Sequence, residues 1–130
     1  MSYDSELLRR YAEEQSEAAF AEFVERHAGL VYASALRRLG GDAHAASDVV
    51  QKVFVSAARN VRQLTRCEHL SSWLFAATRN TALNHMRDEI RRKQREQKAY
   101  EERIALTEDG AELNWEQLRP VLDETLDERP

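Results

Sequence analysis

Helix breakers are scarce in this chain: its 130 residues hold four glycines and two prolines. Ala, Leu, Glu, Arg and Gln fill most other positions, and these side chains lose little freedom when the backbone coils. No strand-type alternation of apolar and polar residues competes. The sequence therefore predicts an all-α protein, a compact helical bundle of three to four main helices with a short C-terminal helix or tail.

Local signals place the helix boundaries. A first helix is expected from about Asp4 to Glu14, and a second from Ser16, whose hydroxyl can cap the following turn, to Leu39. Phe20, Phe23, Val24, Leu30, Val31, Ala35 and Leu39 mostly keep helical spacing along it, and Gly29 is no sure break. Gly40-Gly41 ends this helix. Asp42 is placed to cap a third, about Ala43 to Asn60, with an apolar stripe of Val49, Val53, Phe54 and Ala57. Val61 to His69 shows no period and reads as a nine-residue loop. A fourth helix starts at Leu70 or Ser71 and meets neither Pro nor Gly before Gly110; its turns beyond Lys98 are expected to fray. Thr107 to Gly110 reads as a linker, and Asn114 as the cap of a short amphipathic segment through Trp115, Leu118, Val121, Leu122 and Leu126. The expected organisation is a helical domain over 1–103, then an acidic linker and the start of a second domain over 104–130. On this reading the chain is a fragment of a longer protein.

Composition narrows the function. With 42% hydrophobic and 32% charged residues the chain can fill a core and keep a charged surface. No apolar run approaches a membrane span, and Met1-Ser2-Tyr3-Asp4 lacks the order of a secretory signal, so a cytoplasmic protein with no membrane partner is expected. Cys67 is the single cysteine. It can form no internal disulfide and lies in no Cys–His cluster of metal-ligand spacing. His27, His44, His69 and His85 are scattered, Asp88 and Glu89 are better read as salt-bridge partners than as an acid–base pair, and no phosphate-cradling loop or nucleophile motif is present. No enzyme activity, cofactor or metal is expected.

Charge is segregated along the chain. Residues 1–78 carry 9 basic and 10 acidic side chains, residues 79–98 carry 7 and 3, and residues 101–130 carry 3 and 10. The basic segment is either a localised anion-binding surface or a solvated helix face. On the fourth helix, at about 100° per residue, Trp73, Asn84, Arg87, Arg91, Arg95 and Lys98 fall within about 60° of Asn80. Such a face suits nucleic acid. Guanidinium and ammonium groups neutralise phosphates, carboxamides pair with base edges, and indole supports an unstacked base. The alternatives are a core role for Trp73 and a solvated helix end, favourable to cations, for Arg91, Arg92, Lys93 and Arg95. Phe75, Ala82, Met86 and Ile90 lie on the other side, where they are expected to pack on the second and third helices. Asp48, Gln51, Lys52, Val55 and Arg59 form a mixed-charge stripe on the third helix, which suits a partner helix or is simply an exposed face.

Asp48-Val49-Val50-Gln51-Lys52-Val53-Phe54, followed by Trp73-Leu74-Phe75-Ala76-Ala77-Thr78-Arg79-Asn80-Thr81-Ala82-Leu83-Asn84 and then Arg87 and Arg91-Arg92, resembles region 2 of bacterial RNA polymerase sigma factors, nearest the extracytoplasmic-function group. The resemblance spans about Glu17 to Lys98. It implies a transcription initiation domain that binds core RNA polymerase and recognises and helps melt the promoter -10 element. Asp48, Gln51, Lys52, Val55 and Arg59 would then meet the clamp helices of the largest polymerase subunit. DNA contact would fall to Arg62, Gln63, Thr65 and Arg66, which receive a nucleotide turned out of the stack, and to Trp73, Asn80, Asn84, Arg87, Arg91, Arg95 and Lys98. Trp73 serves there either as a support beneath the pocket or as a stacking ring. An anti-sigma factor is a candidate regulator.

Two departures from the family pattern stand out. Lys52 and Ser47 occupy positions where the family usually, or often, carries an acidic residue, a change that bears on docking. Trp115 to Pro130 resembles the lead-in to a -35-binding helix-turn-helix domain without that domain following. A helical adaptor that keeps this scaffold for protein binding, without promoter activity, is the competing reading.

Overall fold

The computed structural model describes residues 2–110. Among them the regular elements are five α-helices: α1 (Tyr3–Glu14), α2 (Glu17–Arg38), α3 (Ala43–Arg59), α4 (Val61–Thr65) and α5 (Leu70–Gly110). The segment from Asn114 through Leu126, expected to form an amphipathic helix, lies outside the described residues. The chain divides into two compact units, Met1–Asp88 and Glu89–Pro130, with the boundary inside α5.

Short polar side chains start the first three helices. Ser2 accepts a hydrogen bond from the Ser5 amide at 3.1 Å, Ser16 from Ala19 at 3.2 Å and Asp42 from Ala45 at 3.1 Å. Each satisfies one of the amides that a first turn leaves without an intrahelical partner. α1 stops at Gln15, whose φ of 55° turns the chain into α2. Between α2 and α3, Gly40 and Gly41 take φ values of 65° and 86°, a region costly for residues with a Cβ.

In the first unit, α1 packs on α2 and α4, and α3 packs on α2 and α4. Their common core is Leu7 and Leu8 from α1, Phe23, Val31 and Ala35 from α2, Val49, Val53, Phe54 and Ala57 from α3, and Leu64 from α4. Leu74 and Ala82 bring α5 into the same cluster. Thr78, between them on the buried side of α5, is fully buried, and its hydroxyl donates to the Leu74 carbonyl at 2.7 Å. That bond lets a polar residue occupy an apolar position without an unmet donor. Polar contacts fasten α1 to α2 at the rim. Asp4 accepts from Arg26 Nε at 2.9 Å and lies 3.0 Å from His27 Nε2, and the Tyr3 hydroxyl donates to Glu22. The Glu22 carboxylate raises the Tyr3 phenol above its ordinary pKa, because the hydrogen bond favours the protonated form.

Three expectations need correction. The predicted loop Val61 to His69 contains α4, because Leu64, 1% exposed, anchors a helical turn in the core. Thr107 to Gly110 is the end of α5 rather than a linker; the Thr107 hydroxyl donates to the Arg103 carbonyl at 2.8 Å. Ala82 is buried as expected, but Phe75, Met86 and Ile90 are 45%, 42% and 56% exposed. The buried line of α5 runs instead through Leu74, Thr78 and Ala82, which turns those larger side chains outward.

Candidate functional site

The α3 surface follows from its buried side. Ala45, Ala46, Val49, Val53, Phe54 and Ala57 face the core. Helical geometry then turns the remaining stripe outward. Gln51, Lys52, Val55 and Arg59 are exposed, and Asp48 is partly so. All five residues predicted from the sequence thus share one accessible ridge, with Val55 as its apolar centre. Asp48 Oδ2 lies 3.9 Å from His44 Nε2 one turn earlier, a contact that becomes an ion pair when the imidazole is protonated.

α4 and the connection after it carry the second group. Arg62, Gln63 and Arg66 are exposed and Thr65 is half-buried, its hydroxyl donating to the Arg62 carbonyl at 2.7 Å. Arg62, Thr65 and Arg66 line a hollow of about 540 Å3 together with Arg9, Ala12, Glu13 and Gln15 at the end of α1. Gln63 is not among the lining residues. The α1 contribution was not foreseen from the sequence. Arg9 is held in place by Glu6 and Glu13, whose carboxylates raise its pKa further. In return, the Arg9 guanidinium lowers the Glu6 carboxyl.

α5 carries the third group. Within the first unit, Asn80, Asn84 and Arg87 are exposed, while Trp73 is half-buried and packs against the core cluster. Leu74, Thr78 and Ala82 anchor the helix and fix its rotation. From Thr78, at about 100° per residue, Asn80, Asn84 and Arg87 lie between about 120° and 180° round the helix, away from the core. Within the second unit, Arg91, Arg95 and Lys98 are exposed at spacings that share a helix face. Arg92 is engaged with Glu89 at 2.9 Å and Glu96 at 4.0 Å.

Comparison with known proteins covers most of these positions. The family model described as Sigma-70 region 2 matches residues 23–95, which takes in the α3 ridge, α4 and the α5 residues through Arg95. Neither the curated proteins nor the solved structures yield a match. No helix among the described residues is long and apolar enough to cross a membrane, and no group of three or more His, Cys, Asp or Glu among them is placed to hold a metal ion.

Proposed function

The chain belongs to the sigma-70 region 2 family, and from that premise we propose that it is the polymerase-docking and -10-recognition domain of an extracytoplasmic-function sigma factor. Family membership carries the general role, binding RNA polymerase and recognising the promoter -10 element. The finer assignment is to residues. Asp48, Gln51, Lys52, Val55 and Arg59 on α3 meet the clamp helices of the largest subunit. Asn80, Asn84 and Arg87, with Arg91, Arg95 and Lys98, follow the backbone and base edges of the non-template strand. Arg62, Gln63, Thr65 and Arg66 receive a nucleotide turned out of the stack, and Trp73 supports α5 from below.

The observation that best supports this reading is that α5 is anchored through Leu74, Thr78 and Ala82 while two carboxamides and a guanidinium stand exposed away from that anchor. No covalent step is involved. Extruding a base costs a few kcal/mol, and pocket contacts, phosphate neutralisation and stacking offset that cost once the strand is single. Duplex opening is then favourable where the sequence loses least. Lys52 is exposed on the ridge beside Gln51 and favours the second reading, an adaptor that keeps the scaffold for another protein partner.

Polymerase pull-down with Asp48→Ala and Gln51→Ala beside the unaltered chain tests the docking assignment. Retention is expected to fall at least tenfold in the double variant. Undiminished capture would reject the ridge as the docking surface.

A further inference from the structure

We infer that the groove between α2 and α5 around Phe75 is a docking surface for an acidic amphipathic helix of another protein. This surface is distinct from the α3 ridge and from the Asn80–Asn84–Arg87 face. Phe75 is 45% exposed and Leu30 of α2 is 63% exposed. They border one shallow apolar hollow, floored by Val31 and Leu74. Phe75 also borders a second hollow, of about 310 Å3, whose lining includes the guanidinium-bearing Arg38 and Arg79. The groove is thus apolar at one end and cationic at the other, with an aromatic ring shared between them.

Neither Arg38 nor Arg79 has an ion-pair partner among the described residues, a condition they share with exposed arginines such as Arg37, Arg59 and Arg62; what sets them apart is the exposed ring between them and the apolar hollow. Two uncompensated cations beside an exposed aromatic ring match the anatomy of an interface, where Arg and aromatic side chains are enriched and a charged rim selects the partner. Leu30 and Arg38 are eight residues apart on one helix, about 12 Å along its axis. A helix lying along α2 therefore meets the groove with apolar side chains on two successive turns and carboxylates about two turns farther on. A single-stranded nucleic acid fits less well. Its phosphates would suit Arg38 and Arg79, but the Leu30 end is mostly apolar, with Leu30, Val31, Leu74 and Phe75 beside His27 and Ser71 in its lining, and carries no Lys or Arg to meet a continuing phosphate backbone.

The test uses the whole chain and two synthetic 18-residue helical peptides. One carries Leu on two successive turns and Glu two turns on; the other carries Lys in place of Glu. Binding is followed by fluorescence anisotropy and by amide chemical shifts. The Glu peptide is expected to bind at least tenfold more tightly than the Lys peptide, with shifts centred on Leu30, Phe75 and Arg79. Phe75→Ser is expected to weaken it at least tenfold, and so is the Arg38→Glu, Arg79→Glu pair, which touches no buried side chain and keeps the test valid if Phe75→Ser disturbs the fold. Equal affinity for the two peptides, binding of neither, shifts centred on α3, or displacement of Phe75 resonances by a single-stranded oligonucleotide alone would each overturn the inference.

Discussion

Leu64→Ala tests whether α4 is a true part of the core. Leu64 is 1% exposed and is the single buried residue of this five-residue helix. Truncation to Ala removes three carbons, worth about 2.4 kcal/mol at about 0.8 kcal/mol per buried carbon. A cavity term adds to this, but a short surface helix can settle inward, so about 3 kcal/mol is expected within the roughly 2–5 kcal/mol span of such substitutions. For a domain with stability of roughly 5–15 kcal/mol that is a large share. With an m value of about 1.5 kcal/mol/M, the urea midpoint falls by about 2 M. Cys67 supplies a local reading, because its amide donates to the Leu64 carbonyl at 3.0 Å and its side chain is half-buried. Its thiol is expected to react faster with a thiol reagent in the variant at zero urea. A midpoint shift below about 0.5 M, with unchanged Cys67 reactivity, would refute the placement of Leu64 and with it the hollow lined by Arg62, Thr65 and Arg66.

Asp42→Ala removes the carboxylate that caps α3 and is expected to cost about 1 kcal/mol in chemical denaturation, with Asp42→Asn recovering most of it. The Arg9 guanidinium holds the folded Glu6 carboxyl below the ordinary carboxylate range. A folded value below the unfolded one stabilises fully above the unfolded pKa, about 4.3, and that stabilisation is lost as pH falls through the lowered value. Glu6→Gln is therefore expected to melt with a shallower loss on the acid side than the unaltered chain, which a series of thermal scans from neutral to acid pH checks.

The parts of the fold legible in the sequence were those set by local chemistry. Ser16 and Asp42 mark helix starts because their side chains close on amides three residues away, and Gly40-Gly41 marks a turn because the backbone there needs positive φ. The α3 ridge was equally legible: once Val49 and Val53 face inward, Gln51, Lys52, Val55 and Arg59 have only the outside left. α4 was missed because its helical turn depends on a tertiary contact. Val61 and Leu64 are its two apolar side chains, set among Arg62, Gln63, Thr65 and Arg66, and a single i, i+3 pair sets no period. The inner line of α5 was misread for a related reason. A helical wheel gives angular spacing but not which angle meets the core, and buried Thr78 hides that angle behind a polar side chain that bonds its own helix. Nor does any sequence spacing connect Arg9 and Glu13 on α1, or Gln15 just after it, with the hollow beside α4, since only the packing of α1 on α4 brings them there.

The central claim, that the exposed face of α5 holds single-stranded DNA, is tested most directly by salt titration. Polymerase carrying the full chain is bound to a fluorescent single-stranded -10-like oligonucleotide over a series of salt concentrations, beside polymerase carrying the Asn80→Ala, Asn84→Ala, Arg87→Ala chain. The account predicts weaker binding by the variant at every salt concentration and a log–log slope smaller by about 0.7, the counterion equivalent of one lost phosphate contact on a single strand. Superimposable titrations of the two complexes would contradict it.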